Sequence, residues 1–429
     1  MTSTLGRASS ASPSTDSLEP TGVVANDADL RERFAPLFAQ IAAGALDRER
    51  SGELLDEQVR SLVADGFTAL RVPVALGGSG ATNRQLFDLL VDLAAAESNL
   101  PQALRVHWNF VEDRLLAGDE AWLRAIADGK VVGNAITEPG VGAADRYRTT
   151  LTRGDTGWVL NGTKYYSTGS LYADHILVAA DRDGERIAVL VDADAPGVRQ
   201  VDDWDGFGQR LTVSGTTEFV DVPVAEERIL GPGYGAPGRT WGTGYLQLVQ
   251  LSVLAGIAQR ALDDTVAWVR DRTRTFTHAA ADLPRHDPLV QQVIGKLSAA
   301  AYGARALVLA VADDLDRILP QQADDPEALD RFEADAGRAQ SVVIGLVLDA
   351  TTELFEVGGA SISSAGYGLD RHWRNARTIS AHNPLIFKQR AIGAHLLNGD
   401  PLPYQWSAGR RAADNTPADA ATPADTATA

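Results

Sequence analysis

The spacing of hydrophobic and polar positions changes twice along the chain. Between Asp29 and Asp128 apolar residues recur at helical spacing: Leu54, Leu55, Val59, Leu62 and Val63 form one stripe ending at Gly66, and Leu86, Leu89, Leu90 and Leu93 form another. A loop rich in glycine (Gly77, Gly78, Gly80) separates them. From Lys130 to about Leu230 the pattern becomes short β-type runs broken by Gly, Asp and Asn, among them Val131–Ala135, Thr149–Thr152, Trp158–Leu160, Ile176–Ala180, Ile187–Val191 and Thr216–Val220. Asn161 followed by Gly162 reads as a hairpin turn, whose central residues need positive φ. Helical stripes return through Leu246–Val269, Val290–Leu315 and Ala339–Phe355, with a last segment through Ala376–Leu397. Four long helices with short connections predict an antiparallel bundle.

The pattern therefore predicts an α+β fold in a fixed order. Residues 27–130 form an N-terminal helical domain, 131–235 a middle β-barrel or sheet domain, and 236–408 a C-terminal four-helix bundle. Residues 1–26, rich in Ser, Thr, Ala and Pro, and 409–429, an Ala/Asp/Thr/Pro run, are expected to be disordered tails, because neither buries enough apolar surface to offset its ordering entropy.

With 45% hydrophobic and 22% charged residues, the 429-residue composition is that of a globular protein. The net charge of −18 repels phosphate backbones and anionic lipid, which argues against nucleic acid as a partner. No unbroken apolar run approaches the roughly eighteen residues of a membrane span. The opening twenty residues have no apolar core and carry Asp16 and Glu19, so a cytoplasmic protein is expected.

Cys 0 removes thiolate metal sites, iron–sulfur clusters and cysteine nucleophiles together. The seven histidines show no spacing that would set two on one helical face, and no metal site is expected. A Gly-x-Ser-x-Gly elbow and a Rossmann glycine fingerprint after a strand are also missing. What remains is a set of polar segments: Asn134–Gly140, Asn161–Gly169, Trp204–Thr216 and Arg371–Pro384. Taken singly, each is a turn, a strand end or a cationic helix face.

Together they resemble the acyl-CoA dehydrogenase superfamily of flavoproteins across roughly residues 29–408. Thr137-Glu138-Pro139 followed by Gly142 and Asp145, Gly162–Tyr165, the Arg210–Thr216 strand, Asp221–Val224 and Phe355–Gly359 carry that likeness. The resemblance implies a flavin between the β domain and the bundle, completed by a neighbouring subunit of a homo-oligomer, usually a tetramer.

A dehydrogenase of this family needs a carboxylate base for an α-proton. Arg371–Leu397 holds no Asp or Glu, and the second family location for the base holds Gln250 here. Ala143 replaces the motif serine, with one residue inserted before Asp145. The segments Val106–Asn109, Gly133–Ala135, Asn161–Gly169, Asp203–Asp205 and above all Asp370–Thr378 with His382–Pro384 look closer to a flavin-dependent monooxygenase branch, that of dibenzothiophene monooxygenase and the sulfur-acquisition oxidoreductases.

That likeness implies an enzyme using O2 and reduced FMN from a separate NAD(P)H-dependent flavin reductase. A flavin C4a-hydroperoxide would oxygenate a small sulfur- or nitrogen-containing substrate. His382 is implied in peroxide stabilisation or proton transfer, His107 in substrate or peroxide positioning, and Thr168 stands where the branch keeps a serine near the flavin. Asn134, Thr137, Tyr166, Ser167 and Trp204 are implied as flavin contacts. Arg274, with Arg210 and Ser214, is implied for its phosphate, and Gly358-Gly359 as a close backbone approach to cofactor or neighbour.

On the residues alone, His107 would lie on a solvated helix face, His382 would cap a turn, Trp204 would suit a core equally well, Gly358-Gly359 would equally cap a helix, and the stripe Arg371, Arg374, Arg377 could reach phosphate or pair with carboxylates. Two other readings stay open. One is an FAD-dependent acyl-CoA dehydrogenase, with Glu138 as the candidate base; the other is a non-catalytic flavin-fold binding protein.

Overall fold

The structure, a computed structural model, describes residues 26–138, 147–155, 157–236 and 238–404. Helices come first: α1 (Asp27–Ala43), α2 (Ala45–Ser51), α3 (Asp56–Ala64), α4 (Asn83–Ala96), α5 (Asn99–Ala103), α6 (Arg105–Leu116) and α7 (Glu120–Ala127). The start of α4 is fixed by a reciprocal cap in which Thr82 accepts from the Gln85 N–H and the Gln85 side chain accepts from the Thr82 N–H. Its Leu86, Leu89, Leu90 and Leu93 are buried, as the stripe predicted.

The strands follow: β1 (Val132–Ala135), β2 (Thr150–Arg153), β3 (Trp158–Lys164), β4 (His175–Arg182), β5 (Glu185–Asp192), β6 (Val198–Val201), β7 (Thr216–Val224) and β8 (Ile229–Pro232). They form one mixed sheet in the order β6-β7-β3-β2-β4-β5-β8, with β1 parallel to β4. Ile176, Val178 and Ala180 of β4 share an interior with Ile187, Val189 and Val191 of β5 and with Phe219 and Val222 of β7. Alternate positions take the other face, as the pleat requires, where Leu177 and Leu190 pack with Phe110 and Ile126 of the helices. β1 is buried along its whole length because Val132 also packs with Phe110 of α6 and Ile126 of α7, which joins sheet to helices.

Asn161 and Gly162 are not a hairpin turn. They lie inside β3 at a bulge, where the register against β7 shifts between Leu160 and Gly162. Asn161 accepts from the Asp221 N–H at 2.8 Å and donates to Asp221 Oδ1 at 3.1 Å. A side chain on Gly162 (φ +153°) would come within 2.4 Å of Thr149 Oγ1. The strands β6 and β8 were not anticipated.

The remaining helices are α8 (Gly242–Asp271), α9 (Pro288–Gln322), α10 (Pro326–Glu353), α11 (Asp370–Ser380) and α12 (Leu385–Asn398). The expected fourth bundle helix is thus two helices. Pro384 has no N–H to continue the ladder and disfavours helical geometry in the residue before it. α8 is buried on every side from Thr243 to Ala258, and α4, α9 and α10 all pack on it. α9 is apolar enough on average to cross a bilayer, with mean hydropathy 1.3 over its best 18 residues, although it has no unbroken apolar run. It packs against α8 and α10, and its Arg305 pairs with Asp88 and Asp92 of α4. The sequence anticipated no such span.

Candidate functional site

One group of the expected residues meets where β1 faces the turn after β3. Asn134 Nδ2 donates to the Thr168 carbonyl at 2.9 Å. The Ser167 N–H donates to the Gly215 carbonyl and the Gly169 N–H to the Thr212 carbonyl, each at 3.0 Å, so residues 167–169 are tied to 212–215. Gly169 (φ +73°) allows the Ala103 carbonyl to press on its backbone, since a Cβ there would lie 1.9 Å from that oxygen. The α5–α6 junction is therefore seated on this turn.

Three hydroxyls run through the group. Thr212 Oγ1 donates to the Gln209 carbonyl at 2.8 Å, so the 2.8 Å contact between Ser214 and Thr212 uses the Ser214 hydrogen. The 2.8 Å contact between Thr168 and Ser214 then uses the hydrogen of Thr168. Thr168 is left with acceptor lone pairs. Ser167 Oγ is buried without a partner among the described residues.

Backbone strain surrounds these hydroxyls. Tyr166 (φ +58°), Gln209 (φ +51°) and Val213 (φ +47°) are left-handed, a conformation costing about 1–3 kcal/mol for such residues and persisting where surroundings enforce it. The strain presents Tyr166 outward, 51% exposed, with its ring 5.8 Å from Trp204. Trp204 is half-buried, and its Nε1 donates to the Gln209 carbonyl at 2.9 Å. α11 braces this loop through Asn375, whose Oδ1 accepts from the Gln209 N–H at 2.5 Å, and through Arg374, which donates to the Phe207 carbonyl at 3.0 Å. Thr137 is exposed, and its carbonyl accepts from the Tyr165 N–H.

The two expected histidines differ. His107 is fully buried: Nε2 donates to the Thr68 carbonyl at 2.9 Å, and Nδ1 accepts from the Val132 N–H at 3.3 Å. Burial pulls its pKa down to about 4, so it is neutral at pH 7. It is neither on a solvated face nor free to touch a ligand; both nitrogens are spent pinning α6 to β1, which makes it a positioning residue. His382 lies deep among protein atoms, yet the residue keeps solvent access. Burial and then the charge of Arg105 pull its pKa down to about 3, against a hydrogen bond with Asn383. It presents a neutral imidazole.

Other expected residues fall elsewhere. Arg210 is exposed, beside Gly52. Arg274 lies beyond the C-terminal end of α8, in the segment whose Phe276 packs over Gly359, while Gly358 abuts Trp268. Among the described residues, no hydrogen bond or ion pair joins Arg274 or Gly358-Gly359 to the hydroxyl group. Of the arginine stripe, Arg371 pairs with Asp264 and Arg374 with Asp370 and Glu49, while Arg377 is exposed.

Glu138 is no free base. Its buried carboxylate accepts from the N–H groups of Arg148 at 2.9 Å and Thr149 at 2.8 Å and from Lys164 Nζ at 3.0 Å. Burial raises its pKa, but these donors outweigh it and hold the group below its ordinary value. Gln250 is buried within α8 with Nε2 unpartnered among the described residues. Pro139, Gly142, Ala143 and Asp145 lie outside the described residues.

Reading the sequence missed Gln209 and Asn375, which brace the aromatic loop, and Arg105, whose charge acts on His382. Only Arg105 had a legible signal: a lone cation between Leu104 and Val106, four residues before Asn109.

Comparison with known proteins bears on this geometry. Residues 133–222 match the acyl-CoA dehydrogenase middle-domain family and residues 248–386 its C-terminal-domain family. Dibenzothiophene monooxygenase of Rhodococcus erythropolis is 30% identical over 386 residues, covering 84% of this chain and 91% of that protein. A probable FMNH2-dependent monooxygenase, SfnC of Pseudomonas putida, is 26% identical over 388 residues, covering 86% and 95%. The crystal structure of FMN-bound TdsC from Paenibacillus sp. A11-2 superposes with a TM-score of 0.79 at 27% identity, covering 87% of this chain and 98% of that one.

Proposed function

Since the chain belongs to the acyl-CoA dehydrogenase superfamily, in the flavin monooxygenase branch of its dibenzothiophene monooxygenase relatives, we propose that it is a two-component FMN-dependent monooxygenase acting on a small sulfur- or nitrogen-containing substrate. The observation that carries the reading is the strained, half-open surface of Tyr166, Trp204 and Thr168. It offers aromatic faces and an acceptor hydroxyl to a flat amphipathic ring, with an orphan Ser167 hydroxyl beneath. A dehydrogenase reading lacks its base, because Glu138 is saturated and Gln250 takes no proton.

Bound FMNH2 supplies two electrons and two protons, so that one atom of O2 reaches the substrate and the other leaves as water. This chain's residues bind, orient and shield. Asn134 and Ser214 fix Thr168, whose free lone pairs accept from a donor on the ring edge. Trp204 and Tyr166 cover the ring and exclude water. His382, neutral at pH 7, hydrogen-bonds near the reacting oxygen and relays a proton. Arg274, with Gly358 and Gly359, serves the phosphate end in a neighbouring copy of a homo-oligomer, which we take to be a tetramer. Helical Gly295, Gly345 and Gly393 support such a contact: apart from their own helix backbone and chain neighbours, nothing among the described residues lies within 4 Å of a Cβ there, while glycine costs a helix about 0.5–1 kcal/mol relative to alanine. A cytoplasmic NAD(P)H-dependent reductase would deliver the FMNH2.

The test is turnover of alkyl thioethers, thiophenes and alkylamines with NADH, a flavin reductase, FMN and oxygen, in parallel with an acyl-CoA panel and a ferricenium acceptor. Oxygen-dependent oxygenation of the first set is expected. Acceptor reduction by an acyl-CoA would overturn the reading.

A further inference from the structure

α6 opens with a charge that no carboxylate among the described residues answers. Arg105 Nε is buried without a hydrogen bond, and no carboxylate among the described residues pairs with the guanidinium. Several other buried or half-buried arginines hold carboxylates: Arg71 holds Glu112, Arg305 holds Asp88 and Asp92, and Arg371 holds Asp264. In a chain of net charge −18 acidic residues are abundant, yet none of the described ones pairs with Arg105.

Position adds to the cost. Arg105 is the first residue of α6, where the helix dipole disfavours a cation. Arg105 is half-buried, and a partly desolvated charge with no ion-pair partner among the described residues costs stability. Burial draws the pKa of Arg105 down to about 10, which leaves it charged at neutral pH.

Its neighbours come from separate parts of the fold. Arg105 acts electrostatically on His382 after α11 and is acted on by Tyr234 in the loop before α8. One turn along the same face of α6 lies Asn109, whose Nδ2 is likewise buried without a partner and faces the start of α8 at Gly242. Two residues earlier in the chain, Ala103 presses on Gly169, beside Thr168.

Resting on the monooxygenase reading, we propose that Arg105 and Asn109 form a subsite for the anionic group of the substrate, a carboxylate or sulfinate, held by the planar guanidinium fork and one amide donor. A fork of parallel N–H donors matches the two oxygens of either group. The substrate class is thereby narrowed to small sulfur or nitrogen compounds carrying a negative charge, with the reacting atom directed toward His382 and Thr168.

The test compares charged and neutral probes by isothermal titration calorimetry on the anaerobic FMN-loaded protein: methanesulfinate against dimethyl sulfoxide, and (methylthio)acetate against its methyl ester. The anions should bind about tenfold or more tighter than their neutral partners. Arg105→Gln should abolish that preference and Arg105→Lys restore part of it, with FMN affinity unchanged in both. Equal binding of anions and neutral probes overturns the proposal, as does an Arg105→Gln variant that loses FMN instead. The measurement needs neither reductase nor oxygen. Neutral thioether oxygenation without anion preference therefore sinks the subsite alone, and anion binding without any oxygenation sinks the monooxygenase reading alone.

Discussion

On the sheet side of the site the buried polar side chains of Glu138 and His107 are answered. Glu138 holds two backbone N–H groups and Lys164, and His107 spends both nitrogens on backbone. On the α6 side Arg105 and Asn109 keep buried donors without partners, and His382 stays open to solvent. Both sides desolvate polar groups, but only the first recovers the loss within the chain. The first is scaffold, because a satisfied buried network costs a great deal to disturb and has nothing left to give a ligand. The second is a surface kept in readiness, whose groups gain partners when something binds.

The contrast breaks first at His382. His382→Ala should lower oxygenation by about 10²–10⁴-fold, the range of a lost general acid–base group, while shifting unfolding free energy by no more than about 0.5 kcal/mol. Matched denaturant melts and turnover assays decide it; an equal loss of stability would move His382 to the scaffold. Next comes Lys164→Met, which strands the Glu138 carboxylate against Tyr147 in a dry interior. A loss of about 3–5 kcal/mol is expected from chemical denaturation. A loss under about 1 kcal/mol would mean that the two backbone donors alone suffice.

The third is a pH profile. His107 has a folded pKa of about 4, below the unfolded value of about 6.5, so the unfolded chain binds the extra proton between these limits. Stability is therefore unaffected above about pH 6.5 and falls as pH drops toward 4, by about 3 kcal/mol from this group. His107→Gln should flatten that part of the curve at some cost in neutral stability. An unchanged slope would show that another group governs the acid limb. The smallest effect belongs to Thr168→Val, which removes one bond of a hydroxyl chain whose other members still satisfy each other. About 1 kcal/mol of stability should go, with FMN affinity falling in parallel.

The sequence made the broad plan legible wherever burial has a period. The stripes of α4 and α8 and the alternation in β4 and β5 were readable because one face must leave water. Asn161 and Gly162 misled because a bulge and a turn ask for the same backbone freedom, and only the pairing of Asn161 with Asp221 tells them apart. The break before α12 was written in Pro384 but hidden under a continuing apolar pattern. His107 could not be judged from its neighbours, since its partner carbonyl is 39 residues away at Thr68. Saturation is a property of the folded surroundings, and so is its opposite. Arg105 looked ordinary in sequence, and only the fold shows that no described carboxylate pairs with it.

The central claim is that the surface of Tyr166, Trp204 and Thr168 holds reduced FMN to split dioxygen. It is tested most directly by a single turnover of the FMNH2-loaded protein with isotopically labelled O2 and (methylthio)acetate, followed by mass spectrometry of the product. The account predicts one labelled oxygen on sulfur and the other in water. An unlabelled sulfoxide, or a thioether returned unchanged while the flavin oxidises, contradicts it.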